Sequence, residues 1–155
     1  MSDAQQPPAD TLKRTPLHAL HVELGAKMVP FSGYDMPLNY PTGIIAEHKH
    51  TRNQASLFDV SHMGQALLSH AEDVGAIMER LVPGDIAGLK PGRMRYTQLT
   101  NADGGIIDDL MVSKVGEMDG RDWLYFVINA ARKDVDLTHI ATHAEEARLD
   151  PLDAQ

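Results

Sequence analysis

Two carboxylates stand side by side in an apolar run, Ile106-Ile107-Asp108-Asp109-Leu110-Met111-Val112. In a strand, successive side chains face opposite sides, so one aspartate must point into whatever its face covers. A carboxylate buried there without a donor protonates or unfolds the site, because desolvation penalises the charged form. Such a group could hold or move a proton. It could equally cap a turn or pair with a nearby arginine, and the residues alone leave both readings open. A second extended stretch, residues 123–128, adds Tyr125, Val127 and, just beyond it, Asn129 at alternate positions. A ring, an aliphatic wall and an amide on one face suit a pocket for a flat, partly polar heterocycle. They also suit an ordinary core with a polar rim.

Other chemistries find less support. Without a single cysteine, disulfides, thiolate zinc sites and cysteine nucleophiles are excluded. There is no G-x-S-x-G, no phosphate-binding glycine loop and no H-E-x-x-H. His139 and His143 are spaced to share a helix face, but two imidazoles make an incomplete metal site, and a solvated face is the better reading. A helix would point His48 and His50 in different directions. No metal is therefore expected. The net charge of −8 runs against a nucleic-acid partner, whose footprint is a basic excess. The clusters Lys90, Arg93, Arg95 and Arg132, Lys133 read as solvated faces. The longest uncharged apolar run, residues 123–128, is far too short to span a membrane. The first ten residues carry acids and no base, unlike a secretory or transit signal, so a cytoplasmic location is expected.

The elements that would position these residues follow from periodicity. Residues 1–12 read as a disordered leader. Thr15-Pro16 is a helix start with Thr15 as N-cap, and Leu17, Leu20, His21 and Leu24 form its stripe before Gly25 closes it. Residues 28–31 suit a short edge strand, limited by Pro30. Residues 32–42, SGYDMPLNYPT, read as an ordered loop that buries Met36 and Leu38. A helix is expected over 44–54, extended segments over 57–60 and 65–68, and a helix with the stripe Val74, Ile77, Met78, Leu81, stopped by Pro83-Gly84. Three strands, 93–99, 106–115 and 123–128, are joined by turns at Asn101-Ala102-Asp103-Gly104-Gly105 and Asp119-Gly120. A last helix spans 131–147, and residues 149–155 lead toward another element. This is an α+β chain: an antiparallel meander with flanking helices.

Several of these segments resemble one family, the T-protein of the glycine cleavage system. The resemblance lies in Leu57-Phe58-Asp59-Val60-Ser61-His62-Met63 and in Thr100-Asn101-Ala102-Asp103-Gly104-Gly105-Ile106-Ile107-Asp108-Asp109-Leu110. Thr15-Pro16-Leu17, Lys27-Met28-Val29 and Met36-Pro37-Leu38 before Tyr40 support it. It runs from Thr15 to about His143. It implies a tetrahydrofolate-dependent aminomethyltransferase, which passes a one-carbon unit from the lipoyl arm of the H-protein to tetrahydrofolate and releases ammonia. The resemblance further implies Asp109 as the key carboxylate, orienting the folate and assisting proton movement at the attacking nitrogen. Met63, Tyr96, Asp109, Tyr125, Val127 and Asn129 would line the folate, with Tyr96 at a position where the family varies.

T-proteins are longer than this chain. Residues 13–155 would then be the N-terminal part of the folate-binding domain, without its remainder or the C-terminal β domain, and inactive alone. On that view the stripe Leu137, Ile140, Ala141, Ala144 should lack full cover unless a homo-oligomer shields it. Two relatives remain as alternatives. One is the folate domain of dimethylglycine and sarcosine dehydrogenases, though no flavin module precedes this one. The other is a non-enzymatic folate binder of iron–sulfur assembly, against which the intact Asp108-Asp109 pair stands.

Overall fold

The computed structural model describes residues 11–152, so most of the expected leader, residues 1–10, lies outside the described residues. Two compact units divide between His62 and Met63. The first contains helix α1 (His18–Glu23), strands β1 (Lys27–Phe31) and β2 (Tyr34–Asn39), and helix α2 (Ile44–Asn53). The second contains β3 (Gly64–His70), α3 (Val74–Met78), β4 (Met94–Thr100), β5 (Ile106–Met118), β6 (Arg121–Ile128), a 3-10 turn (Ala130–Arg132), α4 (Lys133–His143) and β7 (Arg148–Pro151). The class is α+β.

The second unit is built on one five-stranded antiparallel sheet in the order β4-β5-β6-β3-β7. Its centre is the expected meander. The first meander turn is shaped by Asn101, whose side-chain oxygen accepts from the N–H of Asp103 at 3.1 Å and of Gly105 at 2.7 Å. Such an Asx turn needs no other partner to reverse the chain. In β6 the alternate residues Leu124, Phe126 and Ile128 are buried while Tyr125 and Val127 are half-exposed. One face of the sheet is therefore the core face. Ala66, Leu68, Leu99, Leu110 and Val112 join it, covered by Val74, Ile77 and Met78 of α3, by Ile140 of α4 and by Ala144 just past its end.

Asp73 starts α3, its carboxylate accepting from the N–H groups of Gly75 and Ala76 at 2.9 and 3.2 Å. Gly75 then lets the helix approach the backbone after Ile86. A Cβ there would lie 2.7 Å from Ala87 Cα and 2.8 Å from Ala87 N. Helix propensity alone favours alanine over glycine by about 1 kcal/mol, but the clash is with backbone, which cannot rotate away. Gly75→Ala should therefore lose about 1–3 kcal/mol net. Urea unfolding followed through Trp123 fluorescence checks this; a midpoint at or above wild type would mean that the loop gives way freely.

Several expectations need correction. The last-helix stripe is covered for the most part: Ile140 and Ala144 are buried, Leu137 is half-buried against the core, and Ala141 is exposed. The sheet itself supplies the cover. In the first unit, residues 34–39 are a strand where a loop is expected, pairing with β1 across a Ser32-Gly33 turn with φ +50° and +82°. Positive φ at both central residues gives the twist that a two-residue hairpin needs. Met36 is buried there, but Leu38 is exposed. The stripe of α1 is also inverted: Leu17, Leu20 and Leu24 are exposed, and the helix buries His21. Thr15 makes no cap, because its hydroxyl donates to Asp59 at 2.9 Å.

Candidate functional site

The strand register decides which predicted residues meet. Asp109 pairs with Gln98 of β4; Met111 pairs with Tyr96 and with Val127, which pairs in turn with Gln65. The next row holds Ser113, Tyr125 and Leu67. Residues paired across a sheet share a face, so Tyr96, Asp109, Tyr125 and Val127 lie together on the face opposite the core. Tyr96 is 59% exposed, whereas Asp109, Tyr125 and Val127 are half-buried. Met63 sits at the bend before β3 and Asn129 one residue past the end of β6.

Three residues on this face were not singled out from the sequence: Gln65, Gln98 and Met111. Their only signal was alternation, each polar or flexible residue falling out of phase with buried neighbours. Gln65 has a definite task. Its side-chain oxygen accepts from the Tyr125 hydroxyl at 2.8 Å, which fixes the ring against the sheet. The face thus offers two tyrosine rings, a thioether and an isopropyl group, with one carboxylate and two amides among them. This donor and acceptor set fits a flat heterocycle that stacks on its faces and hydrogen-bonds at its edge.

Asp108 points the other way, onto the core face with Leu110 and Val112. There it meets Asp136, in the first turn of α4, which is 0% exposed. Burial pushes the Asp136 carboxyl up to about 7; its contact with Asp108 and the charge there add to the rise, Arg132 opposes it, and Asp109 adds a further push. The Asn129 amide joins both aspartates. Its Nδ2 lies 3.2 and 3.3 Å from the two Asp108 carboxylate oxygens, 3.2 Å from the Asp109 carbonyl oxygen and 3.4 Å from Asp109 Oδ1. Two N–H groups cannot serve four acceptors at once, so the amide is shared between the two faces. Arg132 closes the corner by donating to the Ile107 carbonyl at 3.1 Å. On the same helix the His139 and His143 rings lie 4.4 Å apart, and burial followed by the neighbouring His143 lowers the His139 pKa.

The first unit carries its own polar cluster, also unforeseen. Asp59 accepts from Thr15 Oγ1, from His21 Nε2 at 2.8 Å, and from the backbone N–H and hydroxyl of Ser61. The other ring nitrogen of His21 contacts the Tyr40 hydroxyl at 2.8 Å. Burial alone would raise the Asp59 pKa, but the hydrogen bonds from His21, Ser61 and Thr15 outweigh it and hold the carboxyl well below the usual range. Beside it is a cleft of about 610 Å3 lined by Met36, Tyr40, Glu47, His50 and Phe58, among others. The sequence signal was faint: one acid among Leu57, Phe58 and Val60.

Comparison with known proteins settles what these two units belong to. The GCVT N-terminal domain matches residues 17–155. The chain belongs to that family. An aminomethyltransferase of Dictyostelium discoideum mitochondria is 46% identical over 138 residues, covering 89% of this chain and 33% of the relative. A Deinococcus deserti aminomethyltransferase is 44% identical over 139 residues, covering 90% and 37%. The crystal structure of glycine cleavage system aminomethyltransferase T from Bartonella henselae superposes with a TM-score of 0.80 at 33% identity, covering 92% of this chain and 38% of that one. The chain thus spans about a third of the length of these relatives. No described helix is long and apolar enough to cross a membrane.

Proposed function

We propose that this chain is the N-terminal folate-binding part of a cytoplasmic aminomethyltransferase of the glycine cleavage system. The observation that carries the reading is the single sheet face on which Asp109 stands beside Tyr96, Tyr125 and Val127, in a chain of this family. Tetrahydrofolate is the acceptor substrate, and the lipoylated H-protein is the donor. Its aminomethyl group is held as S–CH2–NH3+. A folate nitrogen attacks the methylene carbon, the methylene bridges two folate nitrogens, ammonia leaves, and the lipoyl sulfur is released as a thiol. No oxidant or metal enters this balance.

Asp109 supplies a fixed acceptor at the attacking nitrogen. It orients the pterin and takes part in the proton movement that accompanies attack. Tyr96, Tyr125 and Val127 offer apolar surface to the flat ring; Met63 and Asn129 border it at the Asp109 end of the strands. The half-buried setting of Asp109 strengthens such a contact relative to bulk water.

Ammonia release from aminomethyl-loaded H-protein tests the proposal. The complete enzyme should release ammonia only when tetrahydrofolate is present, while residues 1–155 alone should not turn over. Ammonia release indifferent to tetrahydrofolate, or none from the complete enzyme, would discard the reading.

A further inference from the structure

Asp136 is fully buried, yet neither of its carboxyl oxygens has a hydrogen-bond donor among the described residues. The group that meets it is another carboxyl, that of Asp108, whose contact and charge both disfavour ionising Asp136. Two carboxylates facing each other in the core repel, and with Asp136 fully buried desolvation favours protonating it even with Arg132 opposing. One proton resolves the conflict: a protonated Asp136 donates to Asp108, and one of its two orphaned oxygens gains a partner. Asp108 then keeps a full charge for the Asn129 amide, whose other contacts are the Asp109 carbonyl and carboxylate.

We propose that Asp136 and Asp108 share a buried proton, and that Asp136 is thereby a positioning residue which holds Asn129, and through it Asp109, from behind the sheet. The proposal rests on the folate reading only for what Asp109 does; the shared proton is a property of this chain alone. The charged groups that act on Asp136 include Asp108 and Asp109 on β5 and Arg132 in the turn before α4. Arg132 gives its Nη2 to the Ile107 carbonyl. With Asp136 protonated the amide has a charged acceptor on the core face. When Asp136 ionises, the two carboxylates repel, Asp108 shifts, and Asn129 loses its register.

The sign of the pH effect follows. Asp136 titrates near 3.8 when unfolded and near 7 in the fold, so its raised value favours the native state only at low pH. That contribution is fully present below about pH 4, is lost between about pH 4 and 7, and stays lost above. Asp136→Asn is a neutral amide that donates to Asp108 at every pH, so it mimics the protonated acid and does not titrate.

Urea midpoints of the 155-residue chain and of its Asp136→Asn variant, followed by Trp123 fluorescence from pH 5 to 8, read the proton without any folate. The variant's midpoint should gain on wild type steadily up to about pH 7 and then run parallel. A difference that stays constant with pH overturns the shared proton. Infrared difference spectra of the two chains at pH 6 should contain a protonated-carboxyl band lost in the variant; its absence from wild type also overturns it.

In the complete enzyme, wild-type kcat should decline above about pH 7 while that of Asp136→Asn does not. Asp136→Ala should lose about tenfold in kcat with little change in KM, and Asp136→Asn should recover most of that loss. Equal kcat and pH profiles for Asp136→Ala and wild type overturn the positioning role. A wild-type enzyme that releases no ammonia with tetrahydrofolate overturns the folate reading instead, and the midpoints still decide the proton.

Discussion

In the complete enzyme, Asp109→Asn should lower kcat for aminomethyl transfer by a factor of about 10² or more, equivalent to about 2.7 kcal/mol of barrier. The amide keeps the size of the carboxylate and can still accept a hydrogen bond, so folate affinity should change much less. What is removed is a negative charge at a half-buried position on the open sheet face, opposite Gln98 and near Asn129. The contrast with Asp108 sharpens the test. Asp108 lies on the core face against Asp136 and accepts there from the Asn129 amide. Asp108→Asn should therefore cost less turnover than Asp109→Asn. Parallel kinetics with loaded H-protein decide the matter: near-equal turnover of wild type and Asp109→Asn would remove the proposed role, and a larger loss for Asp108→Asn would shift it back by one residue.

Asp59→Ala should be the most damaging single change to the first unit, at about 3–5 kcal/mol, because it removes a buried carboxylate that several buried donors share. The side chains of His21 and Asp59 are only 7% and 3% exposed. Alanine would strand the His21 ring, the Thr15 hydroxyl and the Ser61 N–H, each of which now donates to Asp59. Hydrogen exchange of the amides in residues 18–53 reads this unit without the Trp123 signal of the other. Protection there should collapse in Asp59→Ala, while β5 and β6 exchange as in wild type. The depressed Asp59 pKa adds a direction with pH. Its stabilisation is present above the unfolded value of 3.8 and is lost as pH falls toward the folded one, so wild-type protection should weaken in acid. An Asp59→Ala chain with wild-type protection would show the cluster to be dispensable.

The exposed apolar surface bears on how these units work. In the first unit Leu57 is 98% exposed, with Phe58, Val60, Ile44 and Ile45 also largely open. The second unit leaves Tyr96 and Met94 open on the face that carries Asp109. Apolar side chains in such number are unusual on an isolated surface. Leu57, Phe58 and Val60 lie in a segment that carries the family resemblance, Leu57-Phe58-Asp59-Val60.

Local pattern by itself determined a good deal of this protein. Period-two alternation in 106–112 and 123–128 separates Asp108 from Asp109 and groups Tyr125 with Val127, because a pleated strand has only two faces. Asn101 and the glycines after it specify the first meander turn, because an Asx turn is made within a few residues. What lies across a face was decided only by the tertiary structure. Residues 34–39 carry Asp, Pro and Asn, poor strand formers, yet they pair because β1 and the Ser32-Gly33 turn present a partner. The leucines of α1 lost their stripe to His21, since Asp59, 38 residues away, offered a buried charge that a leucine cannot satisfy. Nothing in the sequence near Asp136 foretells its burial. Its depth, and the proton that goes with it, come from Asp108, a residue of β5 that only the packing of α4 on the sheet brings into contact. Strand parity is a local rule, whereas desolvation depends on every element that packs above the group.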